Sequence, residues 1–383
     1  MIFTMRKKYD STIKIQGGCG MDQRFKVGVI GATGMVGQRY VTLLENHPWF
    51  EVVVVAASAH SAGKTYAESV NGRWKMETPV PDAVKDLVLM DVKDVDKIAA
   101  QVDFVFSAVS MSKDEIRAIE EEYAKTETPV VSNNSAHRWT PDVPMIVPEI
   151  NPDHSEIIKY QRERLGTKRG FIAVKPNCSI QSYTPALSAW KKFEPTQVIA
   201  TTYQAISGAG KTLEDAPEIV GNVIPYISGE EAKSENEPLK IWGHVDDERK
   251  EIVSAESPVI TSQCLRVPVL YGHTAAAFVN FKQNPTKEEL IEALEDYRGV
   301  PQELGLPSAP KQFIQYMQQD DRPQVRYDVN FENGMGISIG RLRPDKIFDW
   351  KFIGLSHNTS RGAAGGAILC AELLKEQGYI TKK

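Results

Sequence analysis

The sequence predicts an α/β protein with two parts, a doubly wound parallel sheet and then an α+β part with a mostly antiparallel sheet. Three observations support this. A glycine-rich turn joins two Val/Ile-rich runs near the start, and helical and strand patterns then alternate up to about residue 150. Strand patterns dominate the chain after that point. The length of 383 residues also favours two domains, because it exceeds what one hydrophobic core usually serves.

The first elements are a strand, a helix and a second strand. Residues 25–30 and 51–57 are short apolar runs of the kind found in strands buried on both faces. Between them, apolar residues recur at helical spacing from Val36 to Leu44, and the pattern stops at Pro48. The sequence therefore predicts a βαβ unit at the start of the parallel sheet.

The later elements follow from the same two periodicities. Helices are predicted at residues 92–101, 112–126, 180–193, 286–297 and 361–379. Strands are predicted at residues 102–108, 129–135, 171–176, 196–207, 265–270, 274–281, 324–331 and 336–344. The basic, turn-rich residues 162–170 predict a surface loop.

Three segments with different roles are expected. Residues 1–24 predict a poorly ordered N-terminal extension, because they carry some positive charge but no apolar core of a signal peptide. Residues 25–176 with 356–383 are expected to form a dinucleotide-binding domain of the Rossmann type. Residues 177–355 are expected to form a catalytic and dimerisation domain.

Composition argues against several classes of function. The net charge is −5 and the pI is near 5.9, so nothing suggests nucleic-acid binding or docking on an acidic membrane. No apolar run approaches the roughly 18 residues of a membrane span. The four cysteines form no CxxC pair, which argues against a metal site or a disulfide framework and indicates a reducing compartment, by default the cytoplasm.

The glycine turn predicts a binding site for a dinucleotide. Gly31, Gly34 and Gly37 lie between a buried strand and a helix, where backbone N–H groups and the helix dipole can face a pyrophosphate. Residues 58–64, which follow the second strand, contain hydroxyls, a histidine and a lysine but no carboxylate for a ribose 2′-OH, so NADP is favoured. The alternatives are glycines that serve close packing only and a polar turn that binds nothing.

Cys178 has the sequence context of a reactive cysteine. Asn177 is a candidate N-cap, and the predicted helix after Cys178 would lower the pKa of its thiol through the positive end of the helix dipole. The competing interpretation is a small core residue, which we expect for Cys19, Cys264 and Cys370. A nucleophilic thiolate also needs a proton shuttle, and among the seven histidines His273 differs because it lies just past a predicted strand and a glycine, seven residues after Arg266. A structural role is the alternative for it.

Several motifs taken together resemble one enzyme family. GATGMVG, SNNSAHR, PNCS, YQAISGAG, GEEAK, RVPVLYGHTAAAF and NTSRGAAGGA occur in the order found in the aspartate-β-semialdehyde dehydrogenases, and the archaeal and fungal branch is the more similar. The resemblance extends from residue 25 to about residue 375. It implies an NADP-dependent enzyme that reversibly converts L-4-aspartyl phosphate to L-aspartate-4-semialdehyde through a cysteine thioester, in lysine, threonine and methionine biosynthesis.

The resemblance also implies roles for individual residues. Cys178 corresponds to the nucleophile, His273 to its general acid/base, and Gln204 to a residue that orients the acyl intermediate. Arg266 corresponds to the residue that binds the substrate α-carboxylate, and Glu230 to the one that faces the α-amino group, although Glu231 leaves that register open. The implied phosphate-site residues are Arg138, Lys233 and Asn133.

The cofactor site is expected to combine the glycine turn with residues from both parts of the chain. The expected cofactor-binding residues are Gly31, Ala32, Thr33, Gly34, Met35, Val36, Ser58, Ser61, Ser107, Ala108, Ser207, Gly208 and Asn358. His60 stands where the resemblance implies an arginine against the adenosine phosphate, so use of NAD beside NADP stays open. No metal is expected.

The residues alone leave other functions open. Malonyl-CoA reductase and N-acetyl-glutamyl-phosphate reductase would use the same thioester chemistry on other acyl groups. An NADP-binding sensor would keep the glycine turn but would not need Cys178, His273 and Arg266 together. The family habit implies a homodimer or a homotetramer that binds only small-molecule substrates.

Overall fold

The computed structural model describes residues 24–383. The expectation for the extension over residues 1–24 therefore falls, apart from Arg24, outside the described residues, as does the expectation for Cys19. Within the described part, no helix is long and apolar enough to cross a membrane. Over the same residues, no cluster of three or more histidine, cysteine or acidic side chains could hold a metal ion.

The first sheet has six strands, in the order β3-β2-β1-β4-β5-β6, and all five pairs are parallel. Its strands are β1 (Phe25–Ile30), β2 (Phe50–Ala57), β3 (Met90–Asp91), β4 (Phe104–Ser107), β5 (Val130–Ser132) and β6 (Ile172–Val174). The helices along this part are α1 (Met35–Leu43), α2 (Tyr66–Val70), α3 (Asp82–Lys85), α4 (Val95–Ala99), α5 (Lys113–Lys125) and α6 (Ile158–Leu165). The order reverses beside β1, so the predicted doubly wound sheet is confirmed.

The second sheet also has six strands, in the order β10-β7-β11-β14-β13-β12, while β8 and β9 form a separate hairpin. These strands are β7 (Pro195–Gln204), β8 (His244–Asp246), β9 (Glu251–Val253), β10 (Val259–Arg266), β11 (His273–Phe281), β12 (Ile314–Met317), β13 (Ile337–Pro344) and β14 (Trp350–Ser356). The three central pairs are antiparallel and the two outer pairs are parallel. The prediction of a mostly antiparallel sheet is confirmed.

One face of the second sheet packs on helices and the other is open. The helices that follow β6 along the chain are α7 (Thr184–Ala189), α8 (Glu230–Ile241), α9 (Lys287–Glu295), α10 (Val300–Leu304), α11 (Val325–Asp328) and α12 (Gly365–Glu376). Along β7 and β11, buried residues alternate with partly exposed ones, as expected for a strand covered on one side. The open face carries Tyr203 and partly exposed Ile199 and Phe278.

The last helix returns to the first sheet. α12 is buried over its first ten residues and shares a core with β1, β2 and β5. A single π-helical segment, Ser360–Ala364, precedes it and brings the chain back past the end of β6. Small residues allow the close approach: a Cβ on Gly362 would lie 2.8 Å from the Cβ of Cys178.

Four local predictions were wrong. Of the strand predicted at 265–270, only residues 265 and 266 belong to a strand, β10. Residues 324–331 form α11 and a turn, because the Asp328 carboxylate accepts hydrogen bonds from the Gln324 N–H and from Arg322 and closes a helical turn. The predicted loop at 162–170 begins as the end of α6, and only the part after Leu165 is a loop. The predicted helix at 180–193 is broken into a 3₁₀ segment, the short α7 and a second 3₁₀ segment, consistent with Pro185 near the start of α7.

Candidate active site

Five chain segments bring reactive side chains together at one end of both sheets. Cys178 follows the carboxyl end of β6, and Gln204 and Arg266 are the last residues of the paired parallel strands β7 and β10. His273 is the first residue of β11, which runs antiparallel to β7 and therefore starts where β7 ends. Glu230 is the first residue of α8. We call Cys178, Gln204, Glu230, Arg266 and His273 the thiol site.

Cys178 and His273 form a hydrogen-bonded pair. The distance from Cys178 Sγ to His273 Nε2 is 3.2 Å, and the Ala205 N–H donates to His273 Nδ1 at 3.0 Å. A backbone N–H can only donate, so Nδ1 is the acceptor and Nε2 carries the ring proton that points at the sulfur. Burial, reinforced by the charge of Arg266, lowers the pKa of His273 to about 3. The ring is therefore a neutral hydrogen-bond donor.

The expectation that a helix N-terminus lowers the pKa of the thiol was wrong. Only a four-residue 3₁₀ segment, Ser179–Ser182, follows Cys178, and the Ser179 N–H is already bonded to the Asn177 side chain. Burial raises the pKa of the Cys178 thiol, and the negative charge of Glu230 adds to the effect. The cations Lys175, Arg138 and Arg266 act in the opposite direction. A thiolate here depends on those side chains and not on a helix dipole.

Glu230 is held toward the thiol site by three donors. Its carboxylate accepts hydrogen bonds from Asn177 Nδ2 at 2.9 Å, Gln204 Nε2 at 3.3 Å and Lys233 Nζ at 2.6 Å. Burial opposes its ionisation, but Lys233 and the two amides outweigh burial and keep its pKa below the ordinary value. Glu231 points instead to the Cys264 N–H on β10. Glu230 is thus the residue of the two that faces the site.

Arg266 has free hydrogen-bonding capacity in a buried position. Its Nη1 donates to the Ala205 carbonyl at 2.7 Å, and it forms no ion pair with a carboxylate of the described residues. Gly208 leaves room for it, since a Cβ there would lie 2.9 Å from Nη1 and 3.1 Å from the His273 ring. A buried guanidinium without a carboxylate partner is suited to bind an anionic group of a ligand.

Arg138 and Asn133 lie beside the thiol site. Arg138 donates from Nη1 to Glu237 at 2.9 Å and from Nε to the Lys175 carbonyl at 3.1 Å, while its Nη2 has only a 3.4 Å contact to the Asn133 carbonyl. The Asn133 side-chain Oδ1 is buried with no hydrogen-bond partner. An unsatisfied buried amide and a partly free guanidinium are consistent with a bound polar group that completes the site.

The glycine turn, residues Gly31–Gly37, has the geometry of a pyrophosphate site. Gly31 has φ +83°, and a Cβ on it would lie 2.3 Å from the Ala108 carbonyl oxygen. A Cβ on Gly37 would lie 2.2 Å from the Gly31 oxygen, so the turn packs tightly against α1. Gly34 is the N-cap residue of α1 and has no side chain that could accept a hydrogen bond. The N–H groups of the first turn are therefore open to an anion.

The remaining predicted cofactor residues differ in what their side chains do. Ser58 is exposed and Ser61 is buried after β2, beside the exposed Lys64, and this turn contains no acidic side chain. The Ser107 hydroxyl donates to the buried Glu120. The residues that lie within the glycine turn are Ala32, Thr33, Met35 and Val36.

Asn358 is already committed to internal bonds. Its Oδ1 accepts from the Gly272 N–H at 2.8 Å, and its Nδ2 donates to the Ser207 hydroxyl at 2.8 Å. These two bonds fix the residue before His273 and the turn that contains Gly208. The side chain therefore positions the histidine, whatever it contacts besides.

Sequence reasoning missed the residues that support the site. Glu237 accepts from Arg138 and, at 2.6 Å, from the Asn177 N–H, so one buried carboxylate fixes both the arginine and the loop of Cys178. The available signal was its position on α8, seven residues after Glu230 and thus on the same face. Lys175, three residues before Cys178, gave no periodic signal. Cys264 and Cys370 are buried and free, as expected for core residues.

The arrangement can perform acyl transfer through sulfur. A nucleophile, a hydrogen-bond donor and an anion-binding arginine surround one space, and a dinucleotide turn opens at the same end of the neighbouring sheet. Such a set suits an acyl substrate that carries negative charge and is attacked by the thiolate.

Comparisons with known proteins agree with this description. Residues 26–158 match the family "Semialdehyde dehydrogenase, NAD binding domain", and residues 186–361 match "Semialdehyde dehydrogenase, dimerisation domain". The aspartate-semialdehyde dehydrogenase of Schizosaccharomyces pombe is 43% identical over 93% of this chain and 99% of its own. That of Methanothermobacter thermautotrophicus is 40% identical over 91% and 99%.

Solved structures give the same result. The crystal structure of aspartate semialdehyde dehydrogenase with NADP from Candida albicans superimposes with a TM-score of 0.83, at 38% identity, over 93% of this chain and all of that one. Fungal and archaeal relatives at about 40% identity confirm the predicted branch. On the combined evidence of fold, site and these relatives, the chain belongs to the aspartate-semialdehyde dehydrogenase family.

Proposed function

We propose that the protein is an NADP-dependent aspartate-semialdehyde dehydrogenase that reduces L-4-aspartyl phosphate to L-aspartate-4-semialdehyde, with Cys178 as nucleophile. The observation that carries the proposal is the Cys178–His273 contact of 3.2 Å beside the buried guanidinium of Arg266, which forms no ion pair with a carboxylate of residues 24–383. Family membership supports the reaction. This step would serve the biosynthesis of lysine, threonine and methionine.

The thiol site fits a substrate with three charged groups. Arg266 would bind the α-carboxylate in a two-pronged contact, and Glu230, whose pKa is lowered, would accept hydrogen bonds from the α-ammonium group. Arg138, Lys233 and Asn133 would surround the phosphate. Gln204, already bonded to Glu230 at 3.3 Å, would orient the acyl carbonyl.

The residues of the thiol site would act in the following order. The Cys178 thiolate attacks the acyl carbonyl, the bond to phosphate breaks, and phosphate leaves with the electron pair while Arg138 and Lys233 neutralise its charge. NADPH, when bound, supplies a hydride to the resulting thioester. The His273 Nε2–H stabilises the oxyanion of the hemithioacetal as a neutral donor, and collapse of the oxyanion returns the thiolate and frees the aldehyde. Because the Ala205 N–H occupies Nδ1, the His273 ring is better suited to donate a hydrogen bond from Nε2 than to accept a proton.

NADP fits the residues present. The glycine turn would hold the pyrophosphate, and the carboxylate-free turn with Ser58, Ser61 and Lys64 would accept a 2′-phosphate. Ser107, Ala108, Ser207, Gly208 and Asn358 would line the path toward the thiol site. The C. albicans relative was solved with NADP. Use of NAD in addition is tested by comparing kcat/KM with the two cofactors.

The decisive experiment supplies the purified protein with aspartate semialdehyde, phosphate and NADP and follows the absorbance of NADPH. We expect turnover that requires phosphate and is lost in Cys178→Ala. Parallel assays with malonyl-CoA and with N-acetyl-glutamyl phosphate test the rival substrates, neither of which offers an ammonium group to Glu230. Turnover of either rival in preference to aspartyl phosphate, or NADP binding without any turnover, would reject the proposal.

The assembly and compartment complete the proposal. We propose a homodimer formed through the open face of the second sheet around Tyr203, because this sheet lies in the region that matches the dimerisation domain. A tetramer of two such dimers is the alternative, and light scattering distinguishes them. We further propose residues 25–176 with 356–383 and residues 177–355 as the two domains, and the cytoplasm as the compartment.

A further inference from the structure

Glu120 is a buried carboxylate on the apolar face of α5. It is 0% exposed and lies on the same helix face as Ile116, Ile119 and Tyr123, which are buried as well. Within residues 24–383 it forms no ion pair with a lysine or an arginine. A buried carboxylate without a cation is costly, and an apolar residue would pack the helix on the sheet at a lower cost. The packing of α5 therefore does not account for the carboxylate.

Three hydrogen bonds converge on one oxygen of this carboxylate. Oε1 accepts from the Ser107 hydroxyl at 2.7 Å, the Ser132 hydroxyl at 2.6 Å and the Asn134 side-chain amide at 3.0 Å. Ser107 and Ser132 are the last residues of the neighbouring strands β4 and β5 and pair with each other in the sheet. The second oxygen, Oε2, is buried and has no hydrogen-bond partner among the described residues. Oε1 thus joins α5 to the ends of two strands and to the segment that follows β5.

Asn133 lies between the two residues of this segment that Glu120 holds. The Ser132 hydroxyl also accepts from the Asn134 N–H at 3.0 Å, so the residues on both sides of Asn133 are fixed to each other as well as to the carboxylate. The Asn133 carbonyl is 3.4 Å from Arg138 Nη2, and its side-chain Oδ1 has no partner within the described part of the chain. The Asn133 side chain is therefore available to a ligand, while its position depends on its two neighbours.

We propose that Glu120 is a positioning residue for substrate binding, which holds Asn133 beside Arg138 through Ser132 and Asn134. The inference rests on the proposed role of Asn133 in binding the substrate phosphate. Ser107 depends less on Glu120, because β4 fixes its backbone between two neighbouring strands, whereas Asn133 lies beyond the end of β5. Loss of the carboxylate should therefore weaken phosphate binding more than NADP binding.

The test measures KM for inorganic phosphate in the direction that forms aspartyl phosphate, with the full-length protein. Glu120→Leu removes the common acceptor of the three donors, and we expect KM for phosphate to rise at least about tenfold. The dissociation constant of NADP, from fluorescence titration, should stay within about threefold of that of the wild type. An unchanged KM for phosphate would overturn the proposal.

A conservative variant tests the hydrogen bonds themselves. Glu120→Gln keeps an oxygen in the position of Oε1 and puts its amide nitrogen where Oε2 has no partner among the described residues. We therefore expect KM for phosphate within about threefold of that of the wild type. If Glu120→Gln were impaired as much as Glu120→Leu, the three hydrogen bonds would not be the cause and the proposal would be rejected.

Ile119→Ala separates positioning from stability. Ile119 is 6% exposed on the same face of α5, and its truncation leaves the three hydrogen bonds of Glu120 in place. We expect a lower melting temperature, because a cavity is left in the core, and a KM for phosphate within about twofold of that of the wild type. A rise in KM as large as that of Glu120→Leu would show that loss of stability alone produces the effect, and would reject the proposal.

Asn134→Ala removes the link from its other end. Asn134 is partly exposed and the substitution leaves α5 unchanged, so this variant decides the question if Glu120→Leu does not fold. We expect KM for phosphate to rise about fivefold, since the Ser132 hydroxyl still holds one side of Asn133. A wild-type KM for phosphate in Asn134→Ala would contradict the proposal.

Amide hydrogen exchange of the ligand-free protein separates this inference from the substrate assignment. The peptide that contains residues 132–135 should exchange faster in Glu120→Leu and Asn134→Ala than in the wild type, but not in Glu120→Gln. Faster exchange in a protein that does not turn over aspartyl phosphate would retain the positioning of Asn133 and reject the reaction. An active enzyme in which Glu120→Leu changes neither the exchange nor KM for phosphate would do the reverse.

Discussion

The glycine turn and the thiol site lie at the ends of neighbouring sheets and are built in opposite ways. The glycine turn, Gly31–Gly37, is seven consecutive residues whose function depends on the absence of side chains. The thiol site takes five side chains from residues 178 to 273, each bonded to at least one group far away in sequence. The glycine turn thus acts through its backbone, whereas the thiol site acts through a network of side chains.

Substitutions are therefore expected to affect the glycine turn and the thiol site differently. In the glycine turn, a Cβ on Gly31 or Gly37 would clash with backbone atoms, but the turn contains no charged side chain. Four charged groups, Glu230, Lys175, Arg138 and Arg266, act on Cys178, and the loss of Glu230 or Arg138 would leave its ion-pair partner without a counter-charge. Substitutions in the thiol site are expected to change catalysis with the fold intact, while those in the glycine turn are expected to change the fold and cofactor binding first.

The largest expected effect is on the nucleophile. Cys178→Ala should lower kcat by at least about 10⁴-fold, because no thioester can form. The dissociation constant for NADP, measured by fluorescence titration, should stay within about twofold of that of the wild type. A large loss of NADP affinity in this variant would contradict the separation of the two sites, because it would show that the thiol contributes to cofactor binding.

The next effect concerns the unpaired guanidinium. Arg266→Leu should lower kcat/KM by about 10²–10³-fold, the cost of losing a buried charge contact to the substrate. Arg266→Lys should recover only part of this, since a lysine cannot make the two-pronged contact with a carboxylate. Steady-state kinetics at several substrate concentrations measure both. A lysine variant as active as the wild type would exclude a bidentate role.

Substitutions at Gly31 and Gly34 of the glycine turn are expected to differ in their effect on stability. Gly31→Ala forces a φ of +83° on alanine and a Cβ 2.3 Å from a carbonyl, so we expect about 1–3 kcal/mol of lost stability and weaker NADP binding. Gly34→Ala has φ −76° and 3.7 Å of clearance, so it should fold normally. Denaturant unfolding and NADP titration distinguish them. Equal destabilisation by both would contradict the turn geometry.

Glu237 tests whether a support residue acts on catalysis. Glu237→Gln keeps the shape but leaves the Arg138 charge uncompensated and weakens the bond to the Asn177 N–H, so we expect kcat/KM to fall by about 10–100-fold. A surface control with a solvent-exposed ion pair, Glu163→Gln, should have no measurable effect. An active Glu237→Gln would mean that the loop of Cys178 is fixed by other contacts.

The smallest effect is a pH dependence of stability. The pKa of His273 falls from 6.5 to about 3 on folding, so between these values only the unfolded chain takes up the proton. Stability should therefore decline as pH drops below 6.5. His273→Asn should make the decline shallower, without removing it, because the pKa of His357 is also lowered by burial, to about 4. Urea unfolding at several pH values measures the slope, and an unchanged slope would argue against a neutral buried ring.

The structure agreed with the sequence where a pattern is local. β1, the glycine turn and β2 were predicted within one residue, because a buried parallel strand, a turn that needs glycine and an amphipathic helix each leave a signal in adjacent residues. The errors arose where contacts override local preference. Residues 324–331 alternate like a strand, yet the Asp328 carboxylate bonds back to Gln324 and closes a helical turn.

The sequence by itself predicted the fold class, the cofactor turn, the family and the candidate nucleophile, Cys178. The tertiary structure alone decided which charged groups surround that thiol. It placed Ala205 against His273 and Glu237 between Arg138 and Asn177. Electrostatic energies depend on distance and burial and not on spacing along the chain, so the ionisation of Cys178 could not be read from the residues around it.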